Sequence, residues 1–114
     1  MSEANFKIRL KRILSCKGYW FITIPMPRRG GHPIDVIAVK RQIAFPIEVK
    51  GKNTYYPPKQ KMEQLTLCGR GNSGMFLIRQ GKTRGNIHVT PLRVDAPGMK
   101  EATALLLDDL KEYL

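Results

Sequence analysis

The sequence predicts a single α/β (α+β) domain, a mixed β-sheet of about five strands flanked by helices in the order α-β-β-β-α-β-β-α. Two observations predict this class. Apolar residues recur at helical spacing in some segments and form short strand-like runs in others, and glycine or proline separates most segments. The chain has 114 residues, 42% of them hydrophobic. This length suits one domain over residues 1–114 with its own core.

The first half of the chain predicts one helix and three strands. Phe6, Leu10 and Leu14 recur at helical spacing, and Gly18 is a typical helix end. Aromatic and β-branched residues then dominate the strand-like runs. The predicted elements are a helix at 3–17, strands at 19–26, 34–40 and 42–50, and a loop at 27–33.

Two local features bear on how the second and third strands pair. The short link at 40–42 predicts a hairpin, although it lacks the Asn-Gly pair that such turns favour. Pro46, within the third strand, has no amide hydrogen to donate to a ladder. We therefore expect Pro46 to lie on an edge strand or at a bulge.

The second half continues with the same kinds of signal. A helix is predicted after Pro57, and the glycine-rich segment 69–74 is expected to form a turn. The last helix is amphipathic, with Leu106 and Leu110 on its apolar face. The predicted elements are a helix at 58–68, strands at 74–80 and 86–93, and a helix at 98–113.

The charge balance indicates a polyanionic partner. The chain carries 20 Lys and Arg against 9 Asp and Glu, a formal net charge of +11. A charge this large favours nucleic acid over other partners. A membrane role is not expected, because no apolar run approaches the roughly 20 residues of a spanning helix.

Other composition signals point inside the cell and away from nucleotide cofactors. Cys16 and Cys68 are isolated and do not make a disulfide framework, and the first residues do not resemble a secretory signal, so we expect a cytoplasmic location. The Gly-x-Gly-x-x-Gly letters at 69–74 follow a predicted helix and precede a strand. A dinucleotide fingerprint needs the reverse order, so no nucleotide cofactor is expected.

One group of charged residues is a candidate catalytic site. Glu48 and Lys50 alternate with Val49 and share a face of the third strand. A hairpin about 40–42 brings Asp35 level with 46–48. Two neighbouring carboxylates repel, and a hard divalent cation such as Mg²⁺ relieves that repulsion. Lys50 beside them is able to stabilise negative charge, so the group suits phosphodiester hydrolysis. A surface ion pair between Glu48 and Lys50 is the alternative.

Asp35, followed by Glu48-Val49-Lys50, resembles the PD-(D/E)xK nuclease signature. The spacing of these residues and the glycine-containing loop before Asp35 most resemble the archaeal-type Holliday-junction resolvases. The resemblance covers roughly residues 3–93 and is sharpest over 28–60. It implies a restriction-endonuclease-like fold and a homodimer that cuts branched DNA with paired nicks, using Mg²⁺ with Mn²⁺ as a substitute.

The resemblance also implies roles for individual residues. Asp35 and Glu48 would bind the metal together with the Val49 carbonyl, Lys50 would be the catalytic lysine, and Gln60 would support the site. Two positions depart from the family pattern. Ile34 replaces the usual proline, and Lys7 stands where many members carry a glutamate in the first helix. Glu3, one turn earlier, either fills that catalytic role or is an N-terminal acid favoured by the helix dipole.

Basic residues around this group are candidate DNA contacts. They flank the predicted site on three sides and would grip phosphates without reading sequence. They are Arg28, Arg29 and His32 before it, Lys52 and Lys59 after it, and Lys7, Lys11 and Arg12 on the first helix.

Three other functions remain open. A virus-type replication-repair nuclease (VRR-NUC) shares the glycine-rich loop and the Glu-x-Lys pair. A basic nucleic-acid-binding module without catalysis would bind in a salt-sensitive manner that ignores Mg²⁺. An RNA-associated protein fits the charge and length but leaves the acidic group unexplained.

Overall fold

The computed structural model describes residues 2–23, 34–83 and 85–114 of the chain. Within these ranges the elements follow the predicted order. The helices are α1 (Glu3–Cys16), α2 (Pro58–Gly71) and α3 (Met99–Leu110), which a 3₁₀ turn (Lys111–Tyr113) extends. The strands are β1 (Trp20–Thr23), β2 (Val36–Lys40), β3 (Ile43–Lys50), β4 (Met75–Gln80) and β5 (Ile87–Leu92). In the same ranges, every helix is too short or too polar to cross a bilayer.

The five strands form one mixed sheet in the order β1-β2-β3-β4-β5. Neighbouring strands are antiparallel except β3 and β4, which are parallel. Helix α2 makes the crossover between these two strands, as a parallel connection requires. The strand order places β3 at the centre of the sheet. Because β3 and β4 are parallel, their carboxyl ends lie at the same end of the sheet.

The predicted hairpin between β2 and β3 is confirmed. Lys40 pairs with Ile43, which leaves Arg41 and Gln42 as a two-residue turn. Both turn residues adopt the left-handed conformation, with φ of 52° and 66°. Two successive positive φ values match the twist of the flanking strands, so the turn forms without the favoured Asn-Gly pair.

The expectation that Pro46 marks an edge strand or a bulge is wrong. Strand β3 is central, and Pro46 faces Ile37 in an uninterrupted register with β2. The amide of Val49 points toward β2, and amides alternate in direction along a strand, so position 46 points toward β4. Pairing with β4 begins only at Ile47, so the missing N–H interrupts no ladder.

Helix α2 is one turn longer than predicted. It continues through Gly71 and ends at Asn72, which takes the left-handed conformation and donates its amide to the carbonyls of Cys68 and Gly69. The Arg93 guanidinium donates to the Cys68 carbonyl and to Asn72 Oδ1, at 3.0 Å each. These contacts satisfy carbonyls that a helix end otherwise leaves without partners.

The main core lies between one face of the sheet and the pair of helices α1 and α3. Phe45, Ile47 and Val49 of β3 alternate onto that face and are fully buried. A smaller cluster under α2 joins Cys68, Met75 and Leu92 on the opposite face. Because strand side chains alternate, Ala44, Pro46, Glu48 and Lys50 of β3 lie on the α2 face.

Candidate active site

Asp35 lies directly before β2 and is held by backbone on two sides. Its amide donates to the Ile47 carbonyl at 2.9 Å, and its Oδ2 accepts the Val49 amide at 2.7 Å. Its other oxygen, Oδ1, accepts from Lys7 Nζ at 3.1 Å. The predicted convergence is therefore present, because Asp35 is bonded to the residue that lies between Glu48 and Lys50.

Glu48 is a buried acid in the central strand, with 5% of its surface exposed. Its Oε1 accepts from Gln60 Nε2 at 3.0 Å, and Lys50 Nζ lies 3.5 Å away. Gln60 belongs to the first turn of α2, which Pro58 opens. Lys50 itself is only 9% exposed. The alternative of a surface ion pair on an edge strand is wrong for Glu48 and Lys50.

The electrostatics of Glu48 are unusual for a carboxylate that has a lysine partner. Burial raises the pKa of Glu48, and the nearby Asp35 carboxylate raises it further. Lys50 and Gln60 act in the opposite direction but do not compensate. The pKa of Glu48 therefore rises from 4.5 to about 7. A cation shared with Asp35 would remove both causes of the rise, since it replaces lost hydration and screens the repulsion.

Three side chains outside the predicted site residues, Tyr56, Gln64 and Arg79, lie around this group. The ring of Tyr56 lies beside Lys50, with Nζ 5.7 Å from the ring centroid, and its hydroxyl donates to Gln64 Oε1. Arg79 on β4 donates from one nitrogen to the carbonyls of Gly51, at 3.0 Å, and Thr54, at 2.6 Å. Arg79 pairs with Lys50 across the parallel ladder, so it was detectable only once that register was known.

The loop tyrosines have different environments. Tyr55 is 72% exposed, whereas Tyr56 packs against Lys50 and Gln64. Local packing, the more common arrangement for such a pair, therefore holds for Tyr56. Tyr55 is free to stack on a base, which is how exposed aromatic residues bind single-stranded nucleic acid.

Glu3 and Lys7 of α1 approach the site in different ways. Glu3 Oε1 accepts the amide of Gly51 at 3.2 Å, so this acid lies at the end of β3, directly beyond Lys50. Lys7, and not Glu3, bonds to Asp35. Glu3 is also an acid in the first turn of a helix capped by Ser2, where the dipole favours it. Its catalytic role stays a prediction.

The predicted DNA contacts differ in their exposure to solvent. Arg12, Lys52 and Lys59 are exposed, and Lys11 is half-buried near the ring of Phe21. Lys7 turns inward to Asp35. Arg28, Arg29 and His32 lie outside the described residues.

The donors present fit a hard divalent cation. Mg²⁺ typically binds through one or two carboxylates and keeps several waters. Asp35 and Glu48 supply two carboxylates, one of them buried with a raised pKa, and the Val49 carbonyl is the third predicted donor. No larger group exists in residues 2–23, 34–83 and 85–114, where three or more His, Cys, Asp or Glu side chains never meet as potential ligands.

A solved structure shares this architecture. The Holliday junction resolvase Hjc from the archaeal hyperthermophile Archaeoglobus fulgidus matches this chain with a TM-score of 0.61 and 17% sequence identity. The match covers 77% of this chain and 75% of Hjc. This chain has the resolvase fold. The predicted restriction-endonuclease-like sheet of the PD-(D/E)xK nucleases is thereby confirmed.

The likeness to Hjc is one of structure and not of sequence. No protein-family profile and no curated protein matches this chain. At 17% identity the resolvase fold alone is shared, and a shared fold does not by itself assign a function.

Proposed function

We propose that this chain is a metal-dependent endodeoxyribonuclease, and within that class a Holliday-junction resolvase that makes paired nicks as a homodimer. The observation that carries the proposal is Glu48, a buried carboxylate with a raised pKa beside Asp35 and Lys50. A perturbed acid within a cluster of charged groups is typical of a functional site. The resolvase fold supports the choice of DNA as substrate.

In this proposal Asp35, Glu48 and the Val49 carbonyl hold Mg²⁺ or Mn²⁺. Gln60 fixes the orientation of Glu48 through its 3.0 Å hydrogen bond, and the Val49 amide fixes Asp35. A bound ion would supply a water of lowered pKa and stabilise charge on the phosphate. Since Glu48 has a pKa of about 7, part of the population is protonated at neutral pH, and Glu48 would have to lose that proton to act as a ligand.

Lys50 acts on the phosphate or on the attacking water. Its ammonium is 3.5 Å from Glu48, which is longer than a charge-assisted hydrogen bond of about 2.8 Å. It is therefore held near the site without being tightly bound by the acid. Tyr56 limits its motion on one side, because the ring lies 5.7 Å from Nζ. A cation so placed stabilises negative charge as it develops.

Substrate contacts come from the basic surface. With a net charge of +11 the chain attracts DNA phosphates, and Arg12, Lys52 and Lys59 are exposed candidates for direct contact. Two nicks placed symmetrically in a four-way junction need two copies of the site. The homodimer belongs to the proposal for that reason.

The test is cleavage of a labelled four-way junction beside linear duplex, single strand and flap DNA, in Mg²⁺ or EDTA. Asp35→Asn and Glu48→Gln are the site variants, and Glu63→Gln on the exposed surface of α2 is the matched control. We expect paired nicks in the junction alone. The site variants and EDTA should reduce the rate at least about a thousandfold while DNA binding persists.

Each other outcome points to a different function. Cutting of flaps or single strands would keep the nuclease and favour a replication-repair branch. Binding that ignores Mg²⁺, with no cleavage of any substrate, would reject catalysis and favour the basic binding module.

A further inference from the structure

Asp35 already has a cation. Lys7 Nζ lies 3.1 Å from Oδ1, and the Val49 amide donates to Oδ2 at 2.7 Å. Both oxygens of the proposed metal ligand therefore accept from positive or partially positive groups. A divalent ion that binds Asp35 must share or displace one of them.

The position of Lys7 follows from the docking of α1. Phe6 and Leu10 are buried in the core and fix the rotation of the helix. Lys7 follows Phe6 and is thereby directed to the edge where Asp35 lies. The lysine is partly exposed, so its ammonium is able to move away without unfolding the helix.

We propose that Lys7 is a positioning residue that competes with the divalent cation for Asp35. This inference rests on the proposed metal-dependent function. Without the ion, the ammonium neutralises Asp35 and holds it in place near Glu48. When the ion arrives, the ammonium repels it, since a unit charge and a divalent charge of the same sign then lie within a few ångströms. Lys7 thus sets the ion concentration at which the site fills.

The experiment is calorimetric titration of Mn²⁺ into the full-length chain without DNA, so that its readout is binding and not activity. Lys7→Met keeps an unbranched side chain and removes the charge. Lys17→Met is the matched control directly after the end of α1, because Lys17 also pairs with a carboxylate, Glu112 at 2.6 Å. Asp35→Asn identifies the binding site.

We expect Lys7→Met to tighten Mn²⁺ binding about tenfold, because it removes the Coulomb repulsion between the lysine ammonium and the divalent ion. Lys7→Glu should tighten it further, and Lys7→Arg should behave like the unaltered chain. Lys17→Met should change the affinity by less than about twofold, since salt screens distant exposed charges. Thermal unfolding of each variant shows that the fold is retained.

Three results would overturn the inference. Equal affinity in the unaltered chain and Lys7→Met, with binding lost in Asp35→Asn, would reject competition and leave the proposed function standing. Absence of Mn²⁺ binding in both proteins would reject the inference and the metal-dependent function together. A tenfold gain in Lys17→Met would also reject the inference, because the effect would then be one of net charge.

Discussion

Asp109 and Glu48 are both largely shielded from solvent and both have a lysine partner, but their environments differ. Asp109 on α3 accepts from Lys40 Nζ at 2.7 Å and from the Tyr19 hydroxyl at 2.8 Å. Burial alone would raise the pKa of Asp109, but the hydrogen bonds from Lys40 and Tyr19 outweigh it, and the pKa is lowered. Glu48 has a more distant lysine and a second carboxylate nearby, and its pKa is raised.

The two carboxylates therefore differ in how well their neighbours stabilise the ionised form: those of Asp109 do so fully, and those of Glu48 do not. The Asp109 cluster is electrostatically satisfied by its own neighbours, and it ties α3 to Tyr19, directly before β1, and to Lys40 of β2. Glu48 is paired with Lys50 and Gln60, yet its pKa stays raised. Burial of a charge costs free energy, and the cation that we propose at Asp35 and Glu48 would offset that cost.

Exchange of the two lysines for methionine should separate the clusters most sharply. Lys50→Met is expected to slow junction cleavage about a hundredfold or more, because it removes a cation aimed at the reacting phosphate. Lys40→Met removes the same charge from the Asp109 cluster, which lies outside the proposed site. Its nicking rate per folded molecule should stay within about twofold of the unaltered chain.

Single-turnover nicking at saturating Mg²⁺ measures both lysine variants. Equal losses in the two would mean that Lys50 acts only through general charge or stability. The Lys40–Asp109 pair and the Lys50–Glu48 pair would then not differ in function.

The pH dependence of stability tests Glu48 directly. Because its folded pKa of about 7 exceeds the ordinary 4.5, the folded state holds the proton more tightly than the unfolded state. Its stabilising contribution is complete below pH 4.5 and is lost as pH rises through about 7. In EDTA, Glu48→Gln should therefore be more stable than the unaltered chain at pH 8, by about 2–3 kcal/mol.

Urea unfolding at pH 8 and pH 5 checks the Glu48 prediction. The advantage of Glu48→Gln should shrink at the lower pH, while exposed Glu63→Gln should match the unaltered chain at both. Destabilisation by Glu48→Gln at pH 8 would show that the ionised carboxylate is already satisfied without a metal.

The Asp109 cluster should respond with the opposite sign and a smaller magnitude. Asp109→Asn leaves the Lys40 ammonium without its 2.7 Å partner and should destabilise the fold by about 2 kcal/mol at pH 8. The Asp109 effect should weaken at acid pH, because a carboxylate with a lowered pKa stabilises only while it is ionised. Urea unfolding gives the free energy, and an unchanged stability would make Asp109 a solvated surface group.

Sequence reasoning was most successful where the chain's neighbours in sequence are also neighbours in space. Strand alternation and one hairpin were enough to bring Asp35 beside Glu48 and Lys50, and helical periodicity located α1, α2 and α3. It failed at Pro46, because the position of a strand in a sheet depends on a partner, β4, that arrives after a crossover helix. It also missed Arg79, which reaches the site through that same register.

The sequence by itself determined the order of the elements, the hairpin that joins β2 to β3 and the acid-base pair on one face of β3. These follow from local rules of periodicity and turn geometry. Only the tertiary structure decided that α2 buries Glu48 and that α1 directs Lys7, instead of Glu3, to Asp35. Both outcomes depend on how helices rotate and dock onto the sheet, and packing sets that rotation across the whole core.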